Sequence, residues 1–357
     1  MKSYAAYYEH EIRKSSSSGG IFSVIASYYD VVYGVAMTED CHSAEFQRMT
    51  GDISPLRGSK YFQAKVGDTF RQVKQDLETG KTVLFTGTGC QVNGLRMFLQ
   101  KDYTNLLTMD VICHGVPSPK LWAIYASYRE KQYGKKLKSV NFRCKDQGWT
   151  NFGIKENQFY ISKEQDPFMQ MFLRNYCLRP ACYQCHAKKI KLADLTIADF
   201  WGIESVAPEL NDGLGTSLII TRTEKGQAIF EAAKSQLCWK EVSYEEGVRF
   251  NPAEHCSPIR PEQRNTFFYD LVNISFSEME KKYAGEVIIP KSLQIKRKIR
   301  KVIGKIAFCC SFIESKLGFG RLGGKNTGIG MGGGVIRSSS YGLLFTFLDG
   351  PDERKRK

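Results

Sequence analysis

No stretch of this 357-residue sequence holds eighteen consecutive apolar residues, which excludes a helix able to span a bilayer. The opening MKSYAAYYEHEIRKSSSSGG is polar and lacks the apolar segment of an export signal, so a cytoplasmic location is expected. Acid is scarce: 37 Asp and Glu stand against 51 Lys and Arg, a net charge of +14. A surplus of that size points to nucleic acid, an anionic membrane surface or an acidic protein. No nucleic-acid-binding motif accompanies it, so no nucleic-acid partner is expected. No internal repeat is visible. The glycines of GFGRLGGKNTGIGMGGG, from residue 318, stand outside any strand–turn–helix context and form no phosphate-binding fingerprint.

Cysteine, by contrast, is plentiful: eleven residues in a chain expected to keep its thiols reduced, which favours metal or redox chemistry over disulfides. Three lie close together in YCLRPACYQCHAKK, at Cys177, Cys182 and Cys185. The Arg179-Pro180 pair favours a tight turn there. A tetrahedral site needs a fourth ligand, either His186 or a distant residue, and both zinc and a 4Fe–4S cluster suit the set. The plain alternative is a group of buried free cysteines.

Apolar segments alternate with amphipathic ones through the first half of the chain. DVVYGVAM (30–37), KTVLFTG and NLLTMDV read as strands, with helices over about 67–78 and after GTGCQ. Short strands follow over 138–165, then ADLTIADFWGIES (193–205) and GTSLIITRTEKGQAIFEAAKSQ (215–236). The class expected is α/β: a mainly parallel sheet with flanking helices, a small antiparallel patch and an iron–sulfur loop, with ligands at the carboxyl ends of the strands. SSSGGIFSVIASYY (16–29) reads as a polar loop entering a helix, with Ser18 or a neighbour as its cap.

Four further turns carry chemistry-bearing residues. SSSSGG (15–20) offers hydroxyls and amides to a phosphate, and GSKY (58–61) adds Ser59 and Lys60. TGTGCQ (86–91) and CHGVPS (113–118) stand at strand ends, where helix N-termini favour anions and thiolates.

Together with FRCKDQGW, RPACYQC and IADFWGI, these loops resemble the coenzyme F420 hydrogenase/dehydrogenase β-subunit family from about residue 3 to about residue 280. The resemblance implies a flavoprotein with FAD and a 4Fe–4S cluster, an oxidoreductase relaying electrons between the cluster and a hydride-type substrate. It implies cluster ligands Cys177, Cys182 and Cys185, with Cys113 or Cys90 as the fourth. FAD is expected on Ser17, Ser18, Gly19 and Gly20, on Ser59 and Lys60, and on Gly87, Thr88, Gln91 and His114. Asp199 and Trp201 are expected beside the cluster or flavin, or else as a plain turn with a buried ring. Relatives of this family often begin with a ferredoxin-like region that has no counterpart before Ser15, and a separate ferredoxin or other redox protein is therefore the expected partner. Relatives also usually have proline before the cysteine of GTGCQ, where this chain has Gly89.

The expected parts are 1–136, an N-terminal α/β part of the flavin-binding region, and 137–285, which carries the cysteine loop. Residues 286–316 are expected to form a basic amphipathic helix and 317–357 a glycine-rich flexible tail. Seven Lys or Arg fall between 291 and 305 with no acid, a surface for anionic lipid or an acidic partner. The competing function is a zinc-stapled, non-catalytic binding module associated with surface-polysaccharide biosynthesis.

Overall fold

The computed structural model describes residues 1–8 and 11–285. The basic helix expected over 286–316, its lipid or partner contact, and the tail 317–357 lie outside the described residues.

In chain order the first elements are β1 (Lys2–Tyr8), α1 (Ile12–Ser15), α2 (Ile21–Ala26), β2 (Val31–Met37), β3 (Ala44–Met49), α3 (Thr69–Glu78) and β4 (Val83–Thr88). They continue as α4 (Gly89–Leu99), β5 (Leu106–Val111), α5 (Pro119–Tyr133), β6 (Val140–Cys144), β7 (Gly153–Glu156), β8 (Phe159–Ser162) and α6 (Pro167–Leu173). The last are β9 (Leu195–Asp199), α7 (Ile203–Val206), β10 (Ser217–Thr221), α8 (Glu224–Ala233), β11 (Leu237–Val242), α9 (Tyr244–Val248) and α10 (Arg264–Asn273).

Eight strands form one sheet in the order β11-β1-β10-β9-β5-β4-β2-β3. Its centre is parallel, with Val31 opposite Val83, Val83 opposite Leu106, and Met109 opposite Leu195. Both flanks are antiparallel. The architecture is the α/β class expected, and β6, β7 and β8 supply the separate antiparallel sheet. The central strands are near-continuous apolar runs because both of their faces are covered. On one face α3 and α4 set Val73, Leu77, Val92 and Leu95 against Val83, Phe85 and Leu106. On the other, α2 and α8 set Val24, Ile25, Phe230 and Ala233 against Leu84, Leu107 and Leu195. Each of the larger side chains contributes about 1.5–3 kcal/mol through burial. A third core gathers Trp122, Phe142, Phe168 and Phe267 from α5, β6, α6 and α10.

The serine loop departs from its expected role as a side-chain cap. Gly20, at φ +83°, is the residue that starts α2, and no side chain caps it. Only glycine takes that left-handed conformation without strain. The Ser18 hydroxyl instead donates to the Thr216 carbonyl at 2.8 Å, and the Gly19 amide donates to Ser217 Oγ at 2.9 Å. The loop is therefore pinned across β10. A Cβ on Gly19 would lie 2.6 Å from the Ala6 carbonyl oxygen and 2.9 Å from the Ser217 amide. Backbone on both sides cannot yield cheaply, so Gly19→Ala is expected to lower unfolding free energy by about 1–3 kcal/mol. A urea titration of both proteins checks this; an unchanged midpoint would show that the loop is not clamped to the sheet.

Candidate functional site

Parallel pairing brings the carboxyl ends of β4, β5 and β9 to one edge of the sheet, so the loops that follow them open on the same space. The serine loop before α2, the turn at 57–62 and the segment 250–253 close the other sides. They enclose a cavity of about 540 Å³, within the usual span for small-molecule sites.

Nine of the ten residues expected to bind the cofactor line this cavity: Ser17, Ser18, Gly20, Ser59, Lys60, Gly87, Thr88, Gln91 and His114. Gly19 is the exception, held against the sheet as described above. Ser17 and Ser59 meet hydroxyl to hydroxyl at 3.1 Å, which ties the two loops together. Lys145 donates to the carbonyls of Arg13 at 2.7 Å and Ser18 at 3.3 Å, fixing the serine loop from behind. Gln91 Oε1 accepts from the Thr88 amide at 2.9 Å, completing a capping box at the start of α4.

The charges in this space are enclosed by protein although they touch the cavity. Lys60 donates its Nζ protons to the Pro55 and Arg57 carbonyls at 2.9 Å each. Burial brings its pKa down to about 7. Burial likewise raises the Asp199 carboxyl above its usual range, against the pull of Arg143. The Arg143 guanidinium lies 2.8 Å from Asp199 and 3.7 Å over the Phe152 ring, and among the described residues its Nε has no hydrogen-bond partner. Trp201 stacks on Trp149 at 4.8 Å. Asp199 and Trp201 both face the cavity, as one of their two expected roles requires.

A second, smaller cavity of about 40 Å³ adjoins the first and is lined by four thiols: Cys90, Cys113, Cys182 and Cys185. The two cavities share Thr88, Val111, Cys113, His114, Gly115, Val116 and Ala253 as a common wall. Each thiol arrives by a different local device. Cys90 stands in the first turn of α4, where the helix dipole favours negative charge. Cys113 follows β5. Pro180 starts the short 3₁₀ turn over Pro180–Gln184 that carries Cys182, and Cys185 lies just beyond it, its amide donating to Ser257 Oγ at 3.0 Å. The Val116 amide donates to the Cys182 sulfur at 3.3 Å, and the Thr88 hydroxyl lies 3.2 Å from the Cys90 sulfur. Burial pushes the Cys113 thiol up to about 12, with the Lys188 ammonium acting in the opposite sense.

The C-x4-C-x2-C grouping is split by this arrangement. Cys177 is fully buried in the apolar core with Leu178 and Phe267 and lines neither cavity. Burial drives its thiol pKa upward. His186 is likewise absent from the wall. His114 joins the wall between the cavities, its Nε2 2.7 Å from Asn175 Oδ1.

Several lining residues escaped the sequence pattern. Arg57 comes from a stretch with no chemical signature of its own, Arg143 lies in FRCKDQGW without a role that its spacing assigns, and only the folded chain turns both inward. Phe250, Asn251, Pro252 and Ala253 follow a short helix; the Asn-Pro pair signals a turn but not its destination. Asn251 reaches the site by donating to the Asp199 carbonyl at 3.0 Å.

Residues 80–246 match the family model for the C-terminal part of the coenzyme F420 hydrogenase/dehydrogenase beta subunit. That span contains the carboxyl ends of β4, β5 and β9 and all four thiols of the smaller cavity. Among solved structures, a chain of the F420-reducing [NiFe] hydrogenase complex from Methanosarcina barkeri is similar at 16% identity and a TM-score of 0.49. The match covers 71% of this chain and 87% of that one. No curated protein matches. Over residues 80–246 the chain is thus similar to the C-terminal part of the coenzyme F420 hydrogenase/dehydrogenase β-subunit family.

Proposed function

We propose that this chain is an FAD- and 4Fe–4S-dependent oxidoreductase, in which the large cavity holds the flavin and Cys90, Cys113, Cys182 and Cys185 hold the cluster. The observation that carries this is the shared wall: a four-thiol cavity and a cofactor-sized cavity meet at residues 113–116. The family match over residues 80–246 supports redox chemistry at the level of hydrogenases and dehydrogenases.

The donor set is all sulfur, as a cubane cluster requires of its protein ligands, though a four-cysteine zinc site takes the same set. The cofactor-sized cavity behind the same wall favours the cluster, since a structural zinc ion has no use for a flavin beside it. Bound together, flavin and cluster couple two-electron hydride chemistry to one-electron transfer. The chain's own part is to hold them close and dry. The Val116 amide and Thr88 hydroxyl supply hydrogen bonds to sulfur. Lys60, Arg57 and the serine loop present cation and hydroxyl to a pyrophosphate.

Anaerobically purified protein should show flavin bands, broad absorbance from the cluster, and about four irons with matching sulfide per chain. One zinc per chain and no flavin would sink the proposal in favour of a zinc-stapled binding module. Serine in place of Cys90, Cys113, Cys182 or Cys185 should strip iron from the protein. Cys177→Ala should keep the iron and lose stability instead, by about 1–3 kcal/mol for a filled core position. Iron lost from the Cys177 variant but retained in the Cys90 variant would reverse the assignment.

Lys60 gives the pH dependence. Above its pKa of about 7 the free amine is neutral, and an anion beside it favours the ammonium form, so binding takes up a proton. FAD affinity, followed by flavin fluorescence, should tighten by up to about tenfold per pH unit as pH falls towards 7 and level off below. Lys60→Met should flatten that profile. A slope that persists in the variant would mean another group is responsible.

A further inference from the structure

The segments that present the four thiols carry no exposed carboxylate of their own; at their borders stand exposed Asp102, paired with Arg96 at 3.1 Å, and exposed Glu262. Residues 88–100, 112–118 and 176–193 contain no Asp or Glu at all. The adjoining stretch 252–261 contains one, Glu254. That residue is fully buried and paired with Lys191 at 3.1 Å and Arg222 at 2.6 Å. The same segments expose Arg179, Lys189 and Arg260, none of which takes part in an ion pair within the described residues. These stretches are one neighbourhood. Asn93 Nδ2 donates to the Ile190 carbonyl at 2.8 Å, the Cys185 amide to Ser257 Oγ at 3.0 Å, and Asn175 Nδ2 to the Ile259 carbonyl at 3.3 Å. Three large apolar side chains stand exposed among the cations: Met97 at 70%, Ile190 at 54% and Ile259 at 71%.

We infer that this face docks a small acidic protein carrying a one-electron centre. The inference rests on the redox function proposed above and adds where its electron partner sits and what recognises it. Cations at the rim draw an acidic surface in and orient it, while exposed apolar side chains give a short-lived complex its contact. Cys90 is itself exposed at this face, so a partner seated there comes close to the thiol cavity. Each encounter moves one electron between the partner's centre and the thiol-held group, one being oxidised as the other is reduced. Two encounters account for the two electrons of one hydride, with its proton exchanged with water.

The test uses the full chain, purified anaerobically, and a reduced acidic 2[4Fe–4S] ferredoxin as probe. Stopped-flow absorbance follows bleaching of this protein's visible bands. The triple variant Arg179→Glu, Lys189→Glu, Arg260→Glu is compared with wild type and with a control carrying the same charge change elsewhere. That control is Lys131→Glu, Lys138→Glu, Lys281→Glu, at three exposed lysines. The wild-type rate constant should fall as salt rises. The triple variant should be slower at low salt by about tenfold or more and lose most of its salt dependence. The control should stay within about twofold to threefold of wild type, because steering is local on the scale of the Debye length. Equal rates in wild type and triple variant, or an equal loss in the control, would overturn the docking assignment. So would wild-type protein that ferredoxin leaves unreduced but excess dithionite bleaches fully. The endpoint with excess dithionite, which reads the cofactors alone, should be the same in all three proteins. If none bleaches or carries iron, the proposed redox function has failed and the docking inference falls with it.

Discussion

The parallel pairing of β2, β4, β5 and β9 is the constraint from which both cavities follow. Parallel strands all end at the same edge, and their crossovers must run over the faces, where α3 and α4 bury one side and α2 and α8 the other. The faces are thus consumed by packing, and the edge at the carboxyl ends is left for loops. Residues 86–91, 112–118 and 198–201 are brought together there although more than a hundred positions separate the first from the last. The antiparallel flanks add the remaining walls, because β10 anchors the serine loop through Thr216 and Ser217.

That scaffold carries a set of groups that would be unfavourable anywhere less rigid. Among the described residues Lys60 has carbonyl partners alone and Arg143 keeps an Nε without a partner, while Asp199 and Cys113 are enclosed in protein. Burial of Lys60, Arg143 and Asp199 raises the free energy of the folded state because it penalises their charged forms, whereas Cys113 stays a neutral thiol. They persist because the surrounding strands and aromatic core leave them nowhere else to go. The three cations Arg57, Lys60 and Arg143 around one cavity suit an anionic ligand, and neutral thiols at the common wall suit a metal whose binding displaces their protons.

The distinction between Cys177 and its neighbours shows what packing decides. Cys177 precedes a tight turn, and Cys182 and Cys185 follow Pro180. The backbone of Cys177 continues the wall of the aromatic core, accepting a hydrogen bond from the Ser118 amide at 2.8 Å, and its side chain is buried with Phe267 and Leu178. Cys182 and Cys185, beyond the turn, line the same small cavity as Cys90 and Cys113. One turn of chain is enough to place thiols in different environments.

The sequence by itself determined the parallel strands, the small antiparallel sheet and the turns that carry most of the cavity residues. Those features are local: apolar runs, helix periodicity, and Gly, Ser and Pro at positions where only a few backbone conformations are open. It could not determine that β1 and β11 extend the sheet, because β1 takes its place only when β10 offers it an edge and β11 only when β1 does. Nor could it orient Arg143, or bring 250–253 across to Asp199, or separate Cys177 from the four thiols of the small cavity. Those are long-range outcomes, fixed when the central sheet pairs and the side chains compete for one interior, and no spacing along the chain encodes them.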